Sequence, residues 1–410
     1  MNIDKKIELL APAGDFEKLK VALAYGADAV YMAGKSFGMR ARAKNFESDE
    51  MAQSIAYAHR LGKKVYVTCN IFAHNSDLLG AEAYFRELEA MGADALIISD
   101  LGLFSLAKKV VPNMEIHIST QANSTNHASV SFWHELGANR VVLARELSIG
   151  EITDIHAHAP HVELEAFVHG AMCMAYSGRC LLSNYMSDRD SNRGECSQPC
   201  RWSYSVVERA TGQAYDIEET EGRGTQLFSS KDLCMIQHLP AVLESGITSL
   251  KIEGRMKTAY YVATVTKTYR QAIDDYLADP ARYESRIPHY QAQLEKVKHR
   301  DFTTGFFFGP ITNEDHIYRG QSNARIHDFL AIVLSYDATT GYALVEQRNK
   351  FELGENIELF RANGEITPLV LTDMTDEAGE PIESAPHPLQ KIRIKLDTSV
   401  SEFDIIRKPN

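Results

Sequence analysis

Four of the six cysteines in this 410-residue sequence fall within one short stretch, and thiolates are ligands for soft metals and metal clusters. They are Cys173, Cys180, Cys196 and Cys200, separated by six, fifteen and three residues. A structural zinc site usually has two close cysteine pairs, whereas only the last pair is close here. The spacing therefore favours an iron-sulfur cluster and leaves zinc, or four incidental cysteines, as alternatives.

The two remaining cysteines are Cys69 and Cys234. We expect Cys69 near the end of a buried strand, where cysteine is commonly a small core residue. Cys234 is a reserve ligand, because a cluster accepts four thiolates from anywhere in space.

The charge balance limits the kinds of partner. A net charge of -12 argues against a protein covered in positive charge, so any contact with RNA needs a local basic patch.

No run of about 18 apolar residues is present, and the N-terminus is charged without the apolar stretch of a signal peptide. We therefore expect a cytoplasmic protein with no membrane contact, in which clustered cysteines serve metal binding or catalysis rather than disulfides.

One local pattern repeats along the first 260 residues: an amphipathic stretch ends at a glycine and a short apolar run follows. Glycine ends helices cheaply in the left-handed conformation, and the apolar run is typical of a strand buried on both faces. The predicted strands are Glu8–Ala11, Ala29–Ala33, Lys64–Asn70, Ala95–Ser99, Glu115–Thr120, Arg140–Ala144, Glu163–His169 and Ser249–Glu253. Eight such strands predict a closed (β/α)8 TIM-like barrel. An open doubly wound sheet is the alternative, but the segment after the first strand lacks its phosphate-binding turn.

The connection between the seventh and eighth strands is far longer than a barrel needs. We predict a cluster-binding insertion near 170–245 within a barrel domain spanning 1–327, with later helices over Ala259–Ala278 and Tyr283–Lys298. Residues 328–410 change to short apolar or alternating runs between turns, which predicts a small C-terminal antiparallel β-barrel. Its strands are expected at Leu330–Leu334, Tyr342–Glu346, Asn356–Phe360 and Ile392–Leu396.

The segment around the first cysteines resembles a known family signature. Glu165-Ala-Phe-Val-His-Gly-Ala-Met-Cys173, followed by Gly178-Arg-Cys-Leu-Leu-Ser183, is similar to the signature of the collagenase-like peptidases, family thirty-two of the peptidases of unassigned mechanism. Shorter similarities include Ser119-Thr-Gln-Ala-Asn123 and Lys251-Ile-Glu-Gly-Arg255. Within that family, the run from Cys173 to Trp202 is most similar to the tRNA hydroxylation protein P branch.

This resemblance implies a specific activity. It implies hydroxylation of the wobble uridine in the tRNA anticodon region to 5-hydroxyuridine, dependent on an iron-sulfur cluster of the 4Fe-4S type, with prephenate implicated as the hydroxyl source. The four loop cysteines match the four of that branch, while related ubiquinone-hydroxylation proteins draw a ligand from the region of Cys234. A related protein is a further candidate partner.

In such a barrel the reactive groups belong at the C-terminal ends of the strands. We predict that Arg145, Lys251 and Arg255 bind a small dicarboxylate cosubstrate, because cationic side chains suit carboxylates. His169 or Glu253 would move protons beside the cluster, with Lys251 also among the catalytic residues. For each of these residues a salt bridge that closes the barrel mouth is the plain alternative. The remaining candidate substrate-binding residues are Asn70, Asp100, Gln121 and Asn123.

Two other functions remain open. The peptidase activity in the family's name would require a nucleophile and a base, but the metalloprotease motif His-Glu-x-x-His is absent. A non-catalytic scaffold that carries a cluster would have little use for so many polar groups at the barrel mouth. A candidate RNA contact is the strand that carries Lys391, Arg393 and Lys395 on one face, with a solvated charged strand as the alternative. Residues 331–410 as a whole carry 8 Lys and Arg against 14 Asp and Glu, which weakens this domain as a sole RNA-binding surface.

Overall fold

The computed structural model describes residues 7–35, 37–38, 45–173, 175–207, 209–212, 214–216, 225–226, 230–311 and 327–409. Parts of the predicted insertion therefore lie outside the described residues. In chain order the first strands are β1 (Glu8–Pro12), β2 (Ala29–Met32), β3 (Lys64–Cys69), β4 (Ala95–Ile98), β5 (Glu115–Ile118), β6 (Arg140–Val142) and β7 (Glu163–Ala171). The next are β8 (Ser203–Val207), β9 (Ala214–Asp216), β10 (Thr225–Gln226), β11 (Asp232–Cys234) and β12 (Ser249–Ile252).

Strands β1 to β7 and β12 form a closed parallel barrel. Each of β1 to β6 pairs with the next strand, and β12 pairs in parallel with both β7 and β1. The predicted (β/α)8 fold is confirmed, and all eight predicted strands are present. Every side chain of β2 and β4 is buried, which explains why these strands appear in the sequence as continuous apolar runs.

Helices alternate with the barrel strands. They are α1 (Phe16–Ala24), α2 (Ser48–Arg60), α3 (Asn75–Met91), α4 (Leu101–Val110), α5 (His127–Glu135), α6 (Ile149–His158), α7 (Leu182–Ser187), α8 (Leu239–Glu244), α9 (Ala259–Ala278) and α10 (Pro280–Leu294). The predicted bounds of α9 are confirmed. Helix α10 begins before the predicted Tyr283, because the Asp279 side chain caps it by accepting from the Ala281 N–H and Pro280 occupies its first turn.

The second unit is antiparallel. Strand β13 (Phe302–Thr303) pairs with β11, and the chain then continues through β14 (His327–Asp337), β15 (Tyr342–Gln347), β16 (Phe351–Glu352), β17 (Asn356–Phe360), β18 (Thr367–Val370), β19 (Met374–Asp376), β20 (Ser384–Ala385), β21 (Lys391–Lys395) and β22 (Ile405–Pro409). Seven of these form one sheet in the order β18-β17-β22-β14-β15-β21-β19. The predicted small β-barrel is thus a seven-stranded antiparallel sheet, a half-barrel.

The sheet packs directly on the barrel helices. The Tyr25 hydroxyl, at the end of α1, donates to the Phe360 carbonyl at 2.7 Å, and Arg348 pairs with Glu17 at 2.6 Å. Arg407 is fully buried and donates to Gln293 of α10 at 3.0 Å. The two units therefore share a packed interface. Among the described helices, none is both long and apolar enough to cross a membrane.

Buried charges fill the lower half of the barrel. Lys251 Nζ donates to Glu165 Oε1 at 2.6 Å, and Arg140 Nη1 donates to Glu165 Oε2 at 3.1 Å and to Glu8 Oε1 at 2.5 Å. Burial alone would raise the pKa of Glu165, but Lys251 and Arg140 outweigh it and lower this pKa from 4.5 to about 2. These contacts join β1, β6, β7 and β12 from within.

This depressed pKa predicts an acid-sensitive barrel. The stabilisation by ionised Glu165 is complete above about pH 5 and is lost as the pH falls toward 2, on the order of 3 kcal/mol in total. We expect Glu165→Gln to lower the free energy of unfolding at pH 7 and to flatten its decline below pH 5, as measured by urea unfolding at several pH values. The exposed Glu89→Gln should follow the wild type. Parallel pH profiles for Glu165→Gln and the wild type would contradict this interpretation.

Candidate active site

The cysteine insertion begins where β7 leaves the barrel and has a hydrogen-bonded structure of its own. The Cys180 N–H donates to Asn192 Oδ1 at 3.3 Å, and the Ser197 N–H donates to Ser183 Oγ at 3.0 Å. Ser197 also shares a hydroxyl contact of 2.6 Å with Ser187, at the end of α7. The segment that carries the cysteines is therefore held from within by several short contacts.

Side chains that follow β3 and β5 attach this insertion to the barrel mouth. The Asn123 amide donates to the Ser177 carbonyl at 3.2 Å, and its oxygen accepts from Arg179 Nε at 2.9 Å. Arg193 makes a two-point contact with Asp77, at 2.6 and 2.8 Å. The insertion thus covers the end of the barrel where the parallel strands finish.

The closest approach of the insertion to the mouth is at Gly178. This residue has φ +73°, and a Cβ there would lie 3.0 Å from the Phe72 ring and 3.2 Å from Gln121 Cγ. A larger residue would be strained in this conformation and would also push the loop away from the mouth. Glycine therefore allows the cysteine segment to lie directly against Gln121.

The four insertion cysteines lie near enough to interact electrostatically. Burial raises the pKa of the Cys200 thiol, the Arg201 guanidinium opposes this shift, and negative charge on Cys173, Cys196 or Cys180 raises the pKa further. All three thiols thus lie within electrostatic range of Cys200. Cys173 is exposed, and the other three are partly buried.

The two remaining cysteines lie elsewhere. Cys69 is fully buried at the end of β3, where burial raises the pKa of its thiol, as expected for a core residue. Cys234 lies on β11, and burial raises the pKa of its thiol to about 11, with Tyr269 of α9 as a hydrogen-bond partner. Cys234 therefore faces α9.

The spacing of the sulfur atoms distinguishes between types of site. Across the described residues, the one group of three His, Cys, Asp or Glu ligand atoms within 4.8 Å of one another is His127, Asp154 and His158, on the outer helices α5 and α6. Zinc bonded to thiolates at about 2.3 Å in a tetrahedron would bring the sulfurs to about 3.8 Å from one another. The insertion cysteines are spaced more widely than such a site requires.

Predicted polar residues line the mouth in pairs. Asn70 Nδ2 donates to Gln121 Oε1 at 2.6 Å, and the Tyr31 hydroxyl donates to Glu253 Oε2 at 3.1 Å. Asp100 accepts from the Leu103 N–H at 2.9 Å and caps α4, which is a structural role. Asn70, Gln121, Asn123 and Glu253 are thus placed beside the cysteine insertion.

The three cations predicted to bind a carboxylate already have contacts in the fold. Lys251 pairs with Glu165 below the mouth, and Arg145 donates to the Ala171 carbonyl at 2.8 Å while its guanidinium lies 4.0 Å from the centroid of the Phe167 ring. Arg255 is 5% exposed and donates to Thr68 Oγ1 at 3.3 Å. Lys251 therefore holds the barrel interior, and Arg145 and Arg255 make contacts near the strand ends.

His169 points out of the barrel. The register between β7 and β12 shifts, so that Lys251 pairs with Phe167 while Ile252 pairs with His169. This irregularity reverses the alternation of side chains, and the His169 ring lies 5.5 Å from the Tyr269 and Phe302 rings. Burial lowers the pKa of His169 to about 3, so the ring is neutral. The structure therefore separates His169 from the mouth groups.

A basic cavity beside the cysteines was not predicted from the sequence. It has a volume of about 330 Å³, and its lining includes Arg201, Trp202, Lys257, Lys298 and Arg300. Negative charge on Cys173 and Cys200 affects the pKa of Arg201, which burial and Arg300 lower overall. The available signals were the short basic runs Arg255-Met-Lys257 and Lys298-His-Arg300.

Residues 14–317 match the model of the family described as peptidase family U32, and residues 325–407 match its C-terminal domain. The chain belongs to peptidase family U32. It is 42% identical to "tRNA hydroxylation protein P1" of Bacillus subtilis over 99% of this chain and 96% of the relative.

More distant relatives carry different names. "23S rRNA 5-hydroxycytidine C2501 synthase" of Escherichia coli is 38% identical over 73% of this chain and 45% of its own length. "Collagenase" of Porphyromonas gingivalis is 31% identical over 87% of each chain. The same family thus includes proteins named for RNA hydroxylation and for proteolysis.

The contact between Arg193 and Asp77 gives a test of how the insertion is held. We expect Arg193→Met to loosen the segment around the cysteines and to increase trypsin cleavage within 175–201 several-fold, as measured by mass spectrometry of limited digests. The control is Arg86→Met, which removes an exposed pair with Glu82 on α3. Equal cleavage of both variants would mean that this ion pair does not anchor the insertion.

Proposed function

We propose that this U32 protein is an iron-sulfur-dependent RNA hydroxylase that acts in the cytoplasm on the wobble uridine of tRNA, forms 5-hydroxyuridine and takes the hydroxyl group from prephenate. The observation that carries the proposal is the convergence of Cys173, Cys180, Cys196 and Cys200 beside the polar barrel mouth. RNA hydroxylation is also the activity in the names of the relatives from Bacillus subtilis and Escherichia coli. The resemblance of the sequence to the tRNA hydroxylation branch supports wobble uridine as the substrate and prephenate as the donor.

The chemistry of the donor set fits an iron-sulfur cluster, most simply of the 4Fe-4S type. Three thiols within electrostatic range of Cys200 complete a set of four, the number of ligands such a cluster takes, and no three of the four sulfur atoms lie as close together as tetrahedral zinc requires. The cluster would be held by Cys173, Cys180, Cys196 and Cys200. Cys234 is a poor fourth ligand because it faces Tyr269 of α9. When bound, the cluster would supply electron transfer next to the mouth.

The protein's own residues would bind and orient the base. The amides of Asn70 and Gln121 can pair with the hydrogen-bonding edge of a pyrimidine. Glu253, held by Tyr31, is the carboxylate best placed to accept a proton at the mouth. His169 fits a positioning role instead, because its neutral ring packs against Tyr261 and Tyr269 and so supports α9.

RNA binding would use the insertion more than the C-terminal sheet. Tyr185 is 87% exposed and Tyr176 is 47% exposed on the insertion, and exposed aromatic rings are stacking surfaces for unpaired bases. On β21, Lys391, Arg393 and Lys395 are exposed while Ile392 and Ile394 are buried, in agreement with the predicted alternation. That strand lies within a domain of net negative charge, so we assign it at most an accessory contact with tRNA.

Peptidase activity is the second candidate because the family and one relative carry that name. The histidine-rich end of α6 does not support it: His158 is exposed and pairs with Asp154, just before the start of β7 at the far end of the barrel from the cysteines. A gelatin-cleavage assay on the purified protein tests this alternative directly. Cleavage that persists after all four insertion cysteines are replaced would support a peptidase separate from the cysteine site.

The cysteines give a matched series of variants. We expect anaerobically purified wild-type protein to contain about four iron atoms per chain. Single Ala substitutions at Cys173, Cys180, Cys196 or Cys200 should reduce the iron content at least several-fold, because each removes one of the four ligands. Cys69→Ala and Cys234→Ala are the controls and should retain iron, as measured by iron and sulfide analysis together with visible absorbance. Loss of iron from Cys234→Ala but not from Cys200→Ala would reassign the fourth ligand.

The activity is tested in cells. Deletion of the gene in a strain without a redundant enzyme should abolish 5-hydroxyuridine in tRNA, as measured by mass spectrometry of tRNA nucleosides. Wild-type protein and Cys69→Ala should restore the modification, whereas Cys173→Ala should not. Unchanged 5-hydroxyuridine after deletion would reject wobble uridine as the substrate.

A further inference from the structure

The basic cavity lies between the cysteine insertion and the segment that follows α10. Ser197, Gln198, Arg201 and Trp202 line one side, and residues 298–300 line the other. Strand β13 places the second wall, because it pairs with β11 and brings Arg300 onto Asp232. The cavity of about 330 Å³ is therefore built by elements from two distant parts of the sequence.

The cations of this cavity outnumber its carboxylates. Asp232 is the one acidic residue in its lining, opposite Arg201, Lys257, Lys298 and Arg300. Both Asp232 oxygens are occupied, since Arg300 Nε and Nη2 donate to Oδ1 at 3.0 and 2.6 Å and the Arg300 N–H donates to Oδ2 at 3.1 Å. The excess positive charge calls for a further anion.

The remaining hydrogen-bond donors are available to such an anion. Arg300 is 8% exposed, and its Nη1 has no hydrogen-bond partner among the described residues. Lys257 Nζ has a contact with the Lys298 carbonyl at 3.3 Å, and burial together with Arg300 and Arg201 lowers the pKa of this amine despite the opposing charge of Asp232. A buried guanidinium with an unpaired N–H group is costly unless a ligand meets it.

We propose that this cavity binds the small carboxylate-bearing cosubstrate of the reaction, with Arg300 and Lys257 as its carboxylate donors and Trp202 as a wall. The assignment rests on the proposed hydroxylase function and names the site of its second substrate. The volume suits one small molecule of ring size, at the lower end of the usual range for ligand pockets. Lys251 and Arg255 are less suitable, because Glu165 already pairs with Lys251 and the largely buried Arg255 already donates to Thr68.

A strand of RNA fits the cavity less well. Phosphate backbones are usually followed by exposed basic side chains, whereas Arg300 is buried and Lys257 and Arg201 are partly buried. The lining residues Gln198, Arg201 and Trp202 flank Cys200 in the sequence, and Ala171 precedes Cys173 by two residues, which places the cavity next to the cysteines. A ligand there would lie beside the group that the cysteines hold.

Binding is measured without turnover, by isothermal titration calorimetry of the anaerobic full-length protein with prephenate. We expect saturable binding that Lys257→Met weakens at least tenfold and that Lys257→Arg largely restores. The matched control is Lys109→Met, an exposed lysine in the last turn of α4, which should bind as the wild type does. A Trp133→Phe background leaves Trp202 as the one tryptophan, so a change in its fluorescence reports on the cavity.

The outcomes separate this inference from the proposed function. Absence of binding, or binding unaffected by Lys257→Met, would overturn the cavity assignment even if tRNA hydroxylation depends on the gene. Binding of an anticodon stem-loop that Lys257→Met weakens, with no binding of prephenate, would assign the cavity to phosphate and also overturn it. Prephenate binding lost in Lys257→Met and kept in Lys109→Met would support the site whatever the RNA substrate is.

Discussion

The contact between β7 and β12 is the constraint on which the rest of the site depends. These strands are neighbours in the barrel, but the whole cysteine insertion separates them in sequence. Their pairing, with the buried Lys251–Glu165 ion pair across it, fixes both ends of a long excursion. Because β7 ends at the mouth while β12, which runs parallel to it, starts at the opposite end of the barrel, the excursion begins with the cysteines at the mouth and returns through α8 to the start of β12. The entropic cost of closing so long a loop rises only slowly with its length, so stability tolerates the insertion.

A second consequence of the same pairing is the local irregularity at the end of β7. Beyond Phe167 the side chains exchange faces, so His169 turns outward to α9 while the chain continues toward Cys173. Strand β11 then pairs antiparallel to this extension, with Cys234 opposite His169. Gly170 has φ +108°, and a Cβ there would lie 2.6 Å from the Glu253 carbonyl, so glycine permits the close approach of β7 to the mouth. The segment from Phe167 to Cys173 thus directs His169 to the packing against α9 and carries the chain to the cysteines at the mouth.

Much of the fold was predictable because it depends on local patterns. Apolar runs after glycine located the eight barrel strands, and the clustering of the cysteines located the insertion. Strand β22, the central partner of β14 and β17, was not predicted, because its sequence Ile-Ile-Arg-Lys-Pro mixes apolar and charged residues. Its Arg407 is nevertheless buried, against Glu358 and Gln293. Burial of a charged side chain depends on partners far away in sequence, which no local pattern reveals.

The same limit applies to the site. The residues Asn70, Gln121, Asn123 and Glu253 were predictable from their positions at strand ends, but a position at the end of β7 could not reveal that the His169 ring faces α9, because the register shift depends on β12. The basic cavity depends on β13 meeting β11, a pairing of two very short strands. Its cations have a physical reason to lie there. A chain of net charge -12 repels anionic substrates on average, so a small anion or RNA must be attracted by a local excess of positive charge. The cavity concentrates that excess next to Cys200, where Arg201 holds down the pKa of the thiol against the effect of burial, and so a cation that attracts the substrate also favours the ionised thiol that a cluster requires.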